Sequence, residues 1–147
     1  MRVKECLDNA GPGWPGLVEA ERLGEAAWLL AFDDEIAVAV EWLDEDPSRI
    51  AIASPLGVPP IDRRFNVYET LLNLNGLWRE NGGVRTSIEA GGEVAIGIST
   101  QCADAADLRQ VIDAWRAVAV QWRAYVNQPA AALTVPGLNP LFFNLRA

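Results

Sequence analysis

The feature that most constrains the fold is a set of apolar residues at every second position, in two blocks separated by a helical stretch. In the first block the alternation runs from Trp28 to Phe32 and again from Ile36 to Trp42. In the second block it runs from Val84 to Ile88 and from Val94 to Ile98. A period of two is typical of strands that bury one face. Since short turn-forming stretches join the two runs of each block, the sequence predicts two β-hairpins.

Other segments predict one more strand and four helices. The strand Arg49–Ala53 extends the first block. Short helices are predicted over Val3–Asn9 and, after a Gly/Pro-rich stretch, over Pro15–Leu23. A helix capped by Asn66 reaches about Glu80, and one capped by Asp104 reaches about Val126. The core order from the second helix onward is α-β-β-β-α-β-β-α, which favours an α+β two-layer sandwich with an antiparallel sheet.

The net charge and the lengths of the apolar runs limit the kinds of partner that the protein can bind. The 147 residues suit one compact domain, and 12 basic against 20 acidic side chains give a net charge of −8. Such a surface excludes sequence-independent binding to a phosphate backbone, so no nucleic acid is expected. No apolar run approaches the ~20 residues of a membrane span, and from the first residues of this sequence we expect no export signal. We therefore expect a cytoplasmic protein without membrane insertion.

The residue types that carry most enzymatic chemistry are missing. The sequence contains no His, which excludes imidazole bases, and its two Cys cannot build a four-ligand zinc site. Cys6 and Cys102 are expected to be reduced thiols in the core. The common phosphate, dinucleotide and hydrolase motifs are absent from the sequence. The sequence therefore predicts that the protein is not an enzyme and binds no metal or cofactor. Catalysis by a carboxylate, Glu41 or Glu93, is a weaker alternative.

The order of elements and four consecutive segments resemble the type III secretion chaperones of the CesT/Tir-chaperone kind, over roughly residues 17–126. The segments are IASPLGVPPIDRRF, NVYETLLNLNGLWRENGG, VRTSIEAGGEVAIGIST and ADAADLRQVIDAWRAVAVQW. The resemblance implies a single chaperone-like domain over residues 1–126 and a homodimer. It also implies that the dimer binds the unfolded N-terminal segment of secreted effector proteins. The dimer would keep them export-competent and deliver them to the secretion ATPase, without chemistry or a cofactor.

The resemblance also assigns two sets of site residues by position. The expected effector-binding residues are Leu17, Trp28, Leu30, Trp42 and Ile52. The expected dimer-interface residues are Tyr68, Leu72, Asn75 and Val84. Two features depart from the family pattern: the break at Gly11–Gly16, and an apolar C-terminal tail over residues 127–147. We expect the Leu141–Phe143 part of this tail to cover an edge of its own sheet or to occupy the client groove.

A second interpretation of the same composition stays open. A small acidic interaction module, such as a regulatory or immunity-type protein, would recognise the surface of a folded partner rather than an extended segment. The two interpretations differ in what the partner presents. A chaperone protects an extended N-terminal stretch from protease, whereas an immunity protein blocks a folded domain.

Overall fold

The computed structural model describes residues 2–129 except 12, 46, 47, 78 and 81, and only the backbone of residues 44 and 45. Three α-helices and six strands follow one another in these residues. In chain order they are α1 (Val3–Asp8), β1 (Leu17–Arg22), β2 (Ala27–Phe32), β3 (Ala37–Glu45), β4 (Ser48–Gly57), α2 (Arg64–Gly76), β5 (Arg85–Ile88), β6 (Val94–Gln101) and α3 (Ala105–Asn127). A single 3₁₀ turn, Ala90–Gly92, joins β5 to β6.

The six strands form one antiparallel sheet in the order β1-β2-β3-β4-β6-β5. The register aligns the apolar positions of successive strands: Leu30 lies opposite Val38, and Ile52 lies opposite both Val40 and Ile98. Residues that face each other across a ladder point to the same side of the sheet. The apolar sets of all four central strands therefore share one face.

Helices cover that face, which becomes the core. Leu30, Ile52 and Trp115 of α3 are each 1% exposed or less. The indole N–H of Trp115 donates to the hydroxyl of Ser54 at 2.8 Å, so the polar atom of this large side chain has a partner inside the core. On the opposite face the strands carry mostly small residues that are half-buried. The predicted α+β two-layer sandwich is confirmed.

The predicted helix over Pro15–Leu23 is wrong, because this segment forms the edge strand β1. Its hydrogen-bonding partner is β2, with Ala20 opposite Leu30. The helical interpretation depended on apolar residues three apart, but five of the six residues of β1 are exposed and form no buried stripe. Pairing with a neighbouring strand therefore outweighed a weak local pattern. The order contains four strands, not three, before α2.

The start of α2 also differs from the prediction. The helix begins at Arg64 and ends at Gly76, with Arg63 rather than Asn66 as its N-cap. Arg63 makes no side-chain cap hydrogen bond. Its guanidinium instead donates to the carbonyl oxygens of Tyr125 and Gln128, each at 2.7 Å. The side chain at the N-cap position therefore connects the start of α2 to the end of α3 instead of capping α2.

The long helix α3 follows the prediction closely. The carboxylate of Asp104 accepts hydrogen bonds from the backbone N–H groups of Ala106 and Asp107, both at 2.9 Å. This is the capping arrangement that the sequence predicted. The strand predicted over Arg49–Ala53 is also present, as the longer β4. The predicted tail lies outside the described residues from position 130 onward.

Candidate partner-binding surfaces

The strand β1 lies at one edge of the sheet, and among the described residues only β2 pairs with it. The backbone N–H of Leu23 donates to the carbonyl oxygen of Ala27 at 2.8 Å, so these opposed residues form a hydrogen-bonded pair. Bonded and non-bonded pairs alternate along an antiparallel ladder. The backbone N–H and C=O groups of Glu21 therefore point to β2, whereas those of Ala20 and Arg22 point to the open edge of the sheet. An added strand would pair with these outward groups.

A groove of about 290 Å³ lies beside this edge, between α1 and β1. Its lining residues are Leu7, Asp8, Ala10, Ala20, Glu21, Arg22 and Trp28. The indole N–H of Trp28 donates to Asp8 at 3.1 Å, and Arg22 lies 3.6 Å from the same carboxylate and 5.9 Å from the centre of the indole ring. Surface ion pairs of this kind contribute ~0–1 kcal/mol. The Arg22 guanidinium also donates to the carbonyl oxygens of Gly24 and Glu25, at 2.9 and 3.1 Å, so several contacts hold it beside the tryptophan.

The opposite side of β1 is acidic. Glu19 and Glu21 are exposed, and the register places them opposite Ala31 and Leu29. These two carboxylates therefore stand on the face of the sheet that the helices leave open. A strand added to β1 would meet carboxylates at alternate positions on this side and the groove on the other. Basic or polar side chains suit the acidic side, and apolar ones suit the groove.

A second exposed surface lies on α2. Phe65 and Leu72 stand two turns apart on the helix and are 78% and 65% exposed, and Ile61, just before the helix, is 84% exposed. Glu69, also exposed, lies between the two helical residues. We call Ile61, Phe65 and Leu72 the α2 face. A patch of large apolar side chains around one charge is typical of a protein–protein contact rather than of solvated surface.

The four predicted interface residues have different environments. The hydroxyl of Tyr68 donates to the carbonyl oxygen of Gly92 at 2.9 Å. The side-chain amide of Asn75 donates to the carbonyl oxygen of Thr86 at 3.0 Å and accepts from its N–H at 2.7 Å. Val84 is buried, at 6% exposure, so these three hold β5 against α2 within one chain. Leu72 is the member of the set with a mainly exposed side chain.

The predicted effector-binding residues also differ in how far their side chains are exposed. Leu30 and Ile52 are 0% and 1% exposed, which corrects their expected placement on a surface. Alternation identified the apolar face of each strand but not whether a helix covers that face. Trp28, at 2%, is buried too, yet it lines the groove beside β1. Leu17 and Trp42 are half-buried, and the indole N–H of Trp42 points to the hydroxyl of Ser48 at 3.4 Å.

Sequence reasoning missed the most exposed apolar side chains. Val18 is 71% exposed on β1, a segment for which the sequence predicts a helix. Phe65 lies before the predicted N-cap Asn66 and therefore outside the predicted helix. A helix beginning two residues earlier would have shown Phe65 and Leu72 at positions i and i+7, on one face. That spacing was the available signal.

The two cysteines are free and buried, as expected. Burial and, to a smaller extent, the nearby carboxylates of Asp107 and Asp104 together raise the pKa of the Cys102 thiol to about 12. A thiol with such a pKa is neutral and a poor nucleophile at physiological pH. Among the described residues no group of three or more His, Cys, Asp or Glu side chains is placed to hold a metal ion.

Comparisons with known proteins yield similarity of structure only. No protein-family model matches the chain, and no curated protein matches it. The crystal structure of the ExsC–ExsE complex is similar at 22% identity and a TM-score of 0.48, covering 71% of this chain and 77% of that one. The Yersinia pestis type III secretion chaperone SycH, in complex with a stable fragment of YscM2, is similar at 15% identity and a TM-score of 0.49, covering 71% and 86%.

The length and apolar character of the helices bear on whether one of them could span a membrane. In the part of the chain that the structure describes, none of them combines the length and the apolar character that crossing a membrane requires.

Proposed function

We propose that this protein is a secretion chaperone that binds an extended, unfolded segment of a secreted effector protein. It acts in the cytoplasm without chemistry, keeps its client export-competent and delivers it to the secretion ATPase. The observation that carries this proposal is the open edge of β1, with outward backbone groups at Ala20 and Arg22 beside the α1–β1 groove. An enzyme needs convergent reactive groups, whereas strand addition needs only such an edge.

The edge and the groove together define how a client segment would lie. Its backbone pairs with β1, which supplies affinity independent of sequence. Alternate client side chains enter the groove, which is lined by Leu7, Ala10, Ala20 and Trp28 with Arg22 beside the indole ring. The remaining side chains face Glu19 and Glu21. The favoured client is therefore an extended stretch in which apolar residues alternate with basic or polar ones.

The α2 face supports the second part of the proposal, a homodimer. The outward position of Phe65 and Leu72 leaves large apolar area in water, and pairing of two copies removes it. In a symmetric dimer, Glu69, which lies between Phe65 and Leu72, would require a polar partner from the other copy. The edge strand β1 lies at the opposite end of the sheet from β5, which contacts α2, so a dimer would leave both client edges open.

The proposal is tested with partners encoded beside the gene. Each is co-expressed with the wild-type chain, purified as a complex and digested with a nonspecific protease. We expect a protected N-terminal stretch of the partner, and Ala20→Pro should abolish the complex because it deletes an outward N–H group. Ala20→Ser keeps that N–H and is the matched control. Protection of a folded domain instead, insensitive to Ala20→Pro, would favour the regulatory or immunity-type alternative.

A further inference from the structure

The sheet has a second edge, β5, at the opposite end from β1, and among the described residues only β6 pairs with it. This strand is four residues long, whereas β1 has six. An edge strand with unpaired backbone groups can pair with any extended chain, whether a client or a second copy. The state of the β5 edge therefore decides how many strands one chain can accept.

The turn between β5 and β6 shows which backbone groups of β5 point outward. The N–H of Glu89 donates to the carbonyl oxygen of Glu93 at 2.7 Å, so these two residues form a hydrogen-bonded pair. Bonded and non-bonded pairs alternate along an antiparallel ladder. Ser87, two residues before Glu89, therefore bonds to β6, whereas the N–H and C=O groups of Thr86 point to the outer edge.

The side-chain amide of Asn75 engages both outward groups of Thr86. It donates to the carbonyl oxygen of Thr86 at 3.0 Å and accepts from the N–H of Thr86 at 2.7 Å. A carboxamide has the same kinds of donor and acceptor as a peptide group. Asn75 thus makes the two hydrogen bonds that a residue of an added strand would make. Within β5, Ile88 is the one other outward position, so an added strand would find at most a single residue to pair with.

The helix α2 carries this amide to the edge from the core side of the sheet. Thr86 lies opposite Ile96, which is 1% exposed, so the side chain of Thr86 points to the core face. Its hydroxyl donates to the carbonyl oxygen of Leu71 at 3.0 Å, which places α2 on that face. Asn75 lies about one turn after Leu71, and its side chain extends from there to the backbone of β5. Truncation of this side chain should therefore uncover the edge.

An uncovered β5 would have a partner in every solution of this protein. The β1 edge of a second copy carries outward backbone groups at Ala20 and Arg22, which could pair with it. Such a contact joins two different surfaces, so every added copy leaves one β1 and one β5 edge available and the assembly does not close. Pairing of this kind would also occupy β1, the edge that a client needs.

We propose that Asn75 closes the β5 edge to added strands and thereby confines strand addition to β1. The inference rests on the proposed function only in its use of β1 as the accepting edge. Asn75 limits each chain to one client segment and prevents head-to-tail association between copies. This role differs from the dimer contact that the family resemblance assigns to Asn75.

The test measures self-association of the client-free, full-length chain by sedimentation velocity over a range of concentrations. Asn75→Ala removes both hydrogen bonds to Thr86, and we expect its weight-average mass to rise with concentration beyond the wild-type value without reaching a plateau. Asn73→Ala, the same substitution at an exposed position of the same helix, should keep the wild-type mass. Ala20→Pro, added to Asn75→Ala, should restore the wild-type mass because it deletes an outward N–H group of β1.

Two outcomes would overturn the proposal. The first is a folded Asn75→Ala with the wild-type mass at every concentration. The second is the formation of larger assemblies that Ala20→Pro does not reduce, since these would not use β1. Far-UV circular dichroism establishes that each variant is folded. If Asn75→Ala is not, Asn75→Ser replaces it, because the serine hydroxyl is too short to bond both groups of Thr86.

The role of Asn75 and the proposed function can fail separately. Client protection by the wild-type chain, together with a folded Asn75→Ala of wild-type mass, would contradict the role of Asn75 alone. Assemblies of Asn75→Ala that Ala20→Pro dissolves, in a protein that protects no client, would support the role of Asn75 and contradict the proposed function.

Discussion

The guanidinium of Arg63 donates hydrogen bonds to the carbonyl oxygens of Tyr125 and Gln128, each at 2.7 Å, and so ties the start of α2 to the end of α3. Arg63 is 1% exposed, and its guanidinium carbon lies 5.0 Å from the centre of the Tyr125 ring. The last carbonyl groups of a helix lack partners within it and carry the negative end of its dipole. A buried cation at this position therefore stabilises the helix end and fixes the exit of the C-terminal segment.

Replacing this arginine should destabilise the fold. Hydrogen bonds from a charged donor contribute about 1.5–3 kcal/mol each, and burying the guanidinium offsets part of that gain. We expect Arg63→Met to lower the free energy of unfolding by about 2 kcal/mol, measured by urea denaturation. Arg64→Met is the control, because the contact of the Arg64 guanidinium to the carbonyl oxygen of Pro59 is longer, at 3.4 Å. Equal losses in both variants would contradict the role of Arg63.

The cap of α3 gives a second stability prediction. Asp104→Ala removes the acceptor for two backbone N–H groups and should cost about 1 kcal/mol in the free energy of unfolding. Asp104→Asn retains a capping oxygen and should stay within about 0.5 kcal/mol of the wild type. Thermal and urea denaturation of the three proteins measure the difference. A loss of the same size for asparagine would show that charge, not capping geometry, matters here.

The thiol of Cys102 predicts a pH dependence. Its pKa is raised in the folded protein from the ordinary 9.0 to about 12, because burial disfavours the thiolate. The associated stabilisation is therefore complete below pH 9 and is lost as the pH rises from 9 towards 12, where the unfolded chain ionises first. We expect the wild type to lose more stability over this range than Cys102→Ala. Equal pH profiles would contradict the raised pKa.

The α2 face predicts the effect of a charge on association. Leu72→Asp places a carboxylate in the proposed dimer contact, at a position too exposed to support the core. We expect dimerisation to weaken at least tenfold, about 1.4 kcal/mol, in sedimentation equilibrium. Leu43→Asp, on the exposed side of β3, should leave the association unchanged. A wild-type chain that is monomeric at every concentration would contradict this interface.

The parts of the fold that sequence reasoning predicted are those with local causes. The hairpins β2–β3 and β5–β6 are predicted by alternating apolar residues and by the turn-forming residues between them. The start of α3 is predicted by Asp104, whose side chain caps the helix. These signals lie within a few residues of the structure that they specify. They are therefore visible without knowledge of the rest of the chain.

The features that were missed depend on distant residues. Segment 17–22 is a strand that pairs with β2, and Arg63, directly before α2, donates hydrogen bonds to the end of α3. Likewise, the burial of Leu30 and Ile52 depends on where the helices pack. Alternation alone could not separate a core face from a binding face. The candidate binding surfaces in the structure are therefore the edge of β1 and the exposed side of α2, and not the buried positions of the central strands.

Addition of a client segment to β1 is reported directly by the backbone amide hydrogens of Ala20 and Arg22. Both point to the open edge, so they should exchange quickly in the free protein. In a complex with a co-purified partner, we expect both amides to become strongly protected in hydrogen-exchange NMR. If a tight complex leaves both exchanging at their free rates, strand addition at β1 is contradicted.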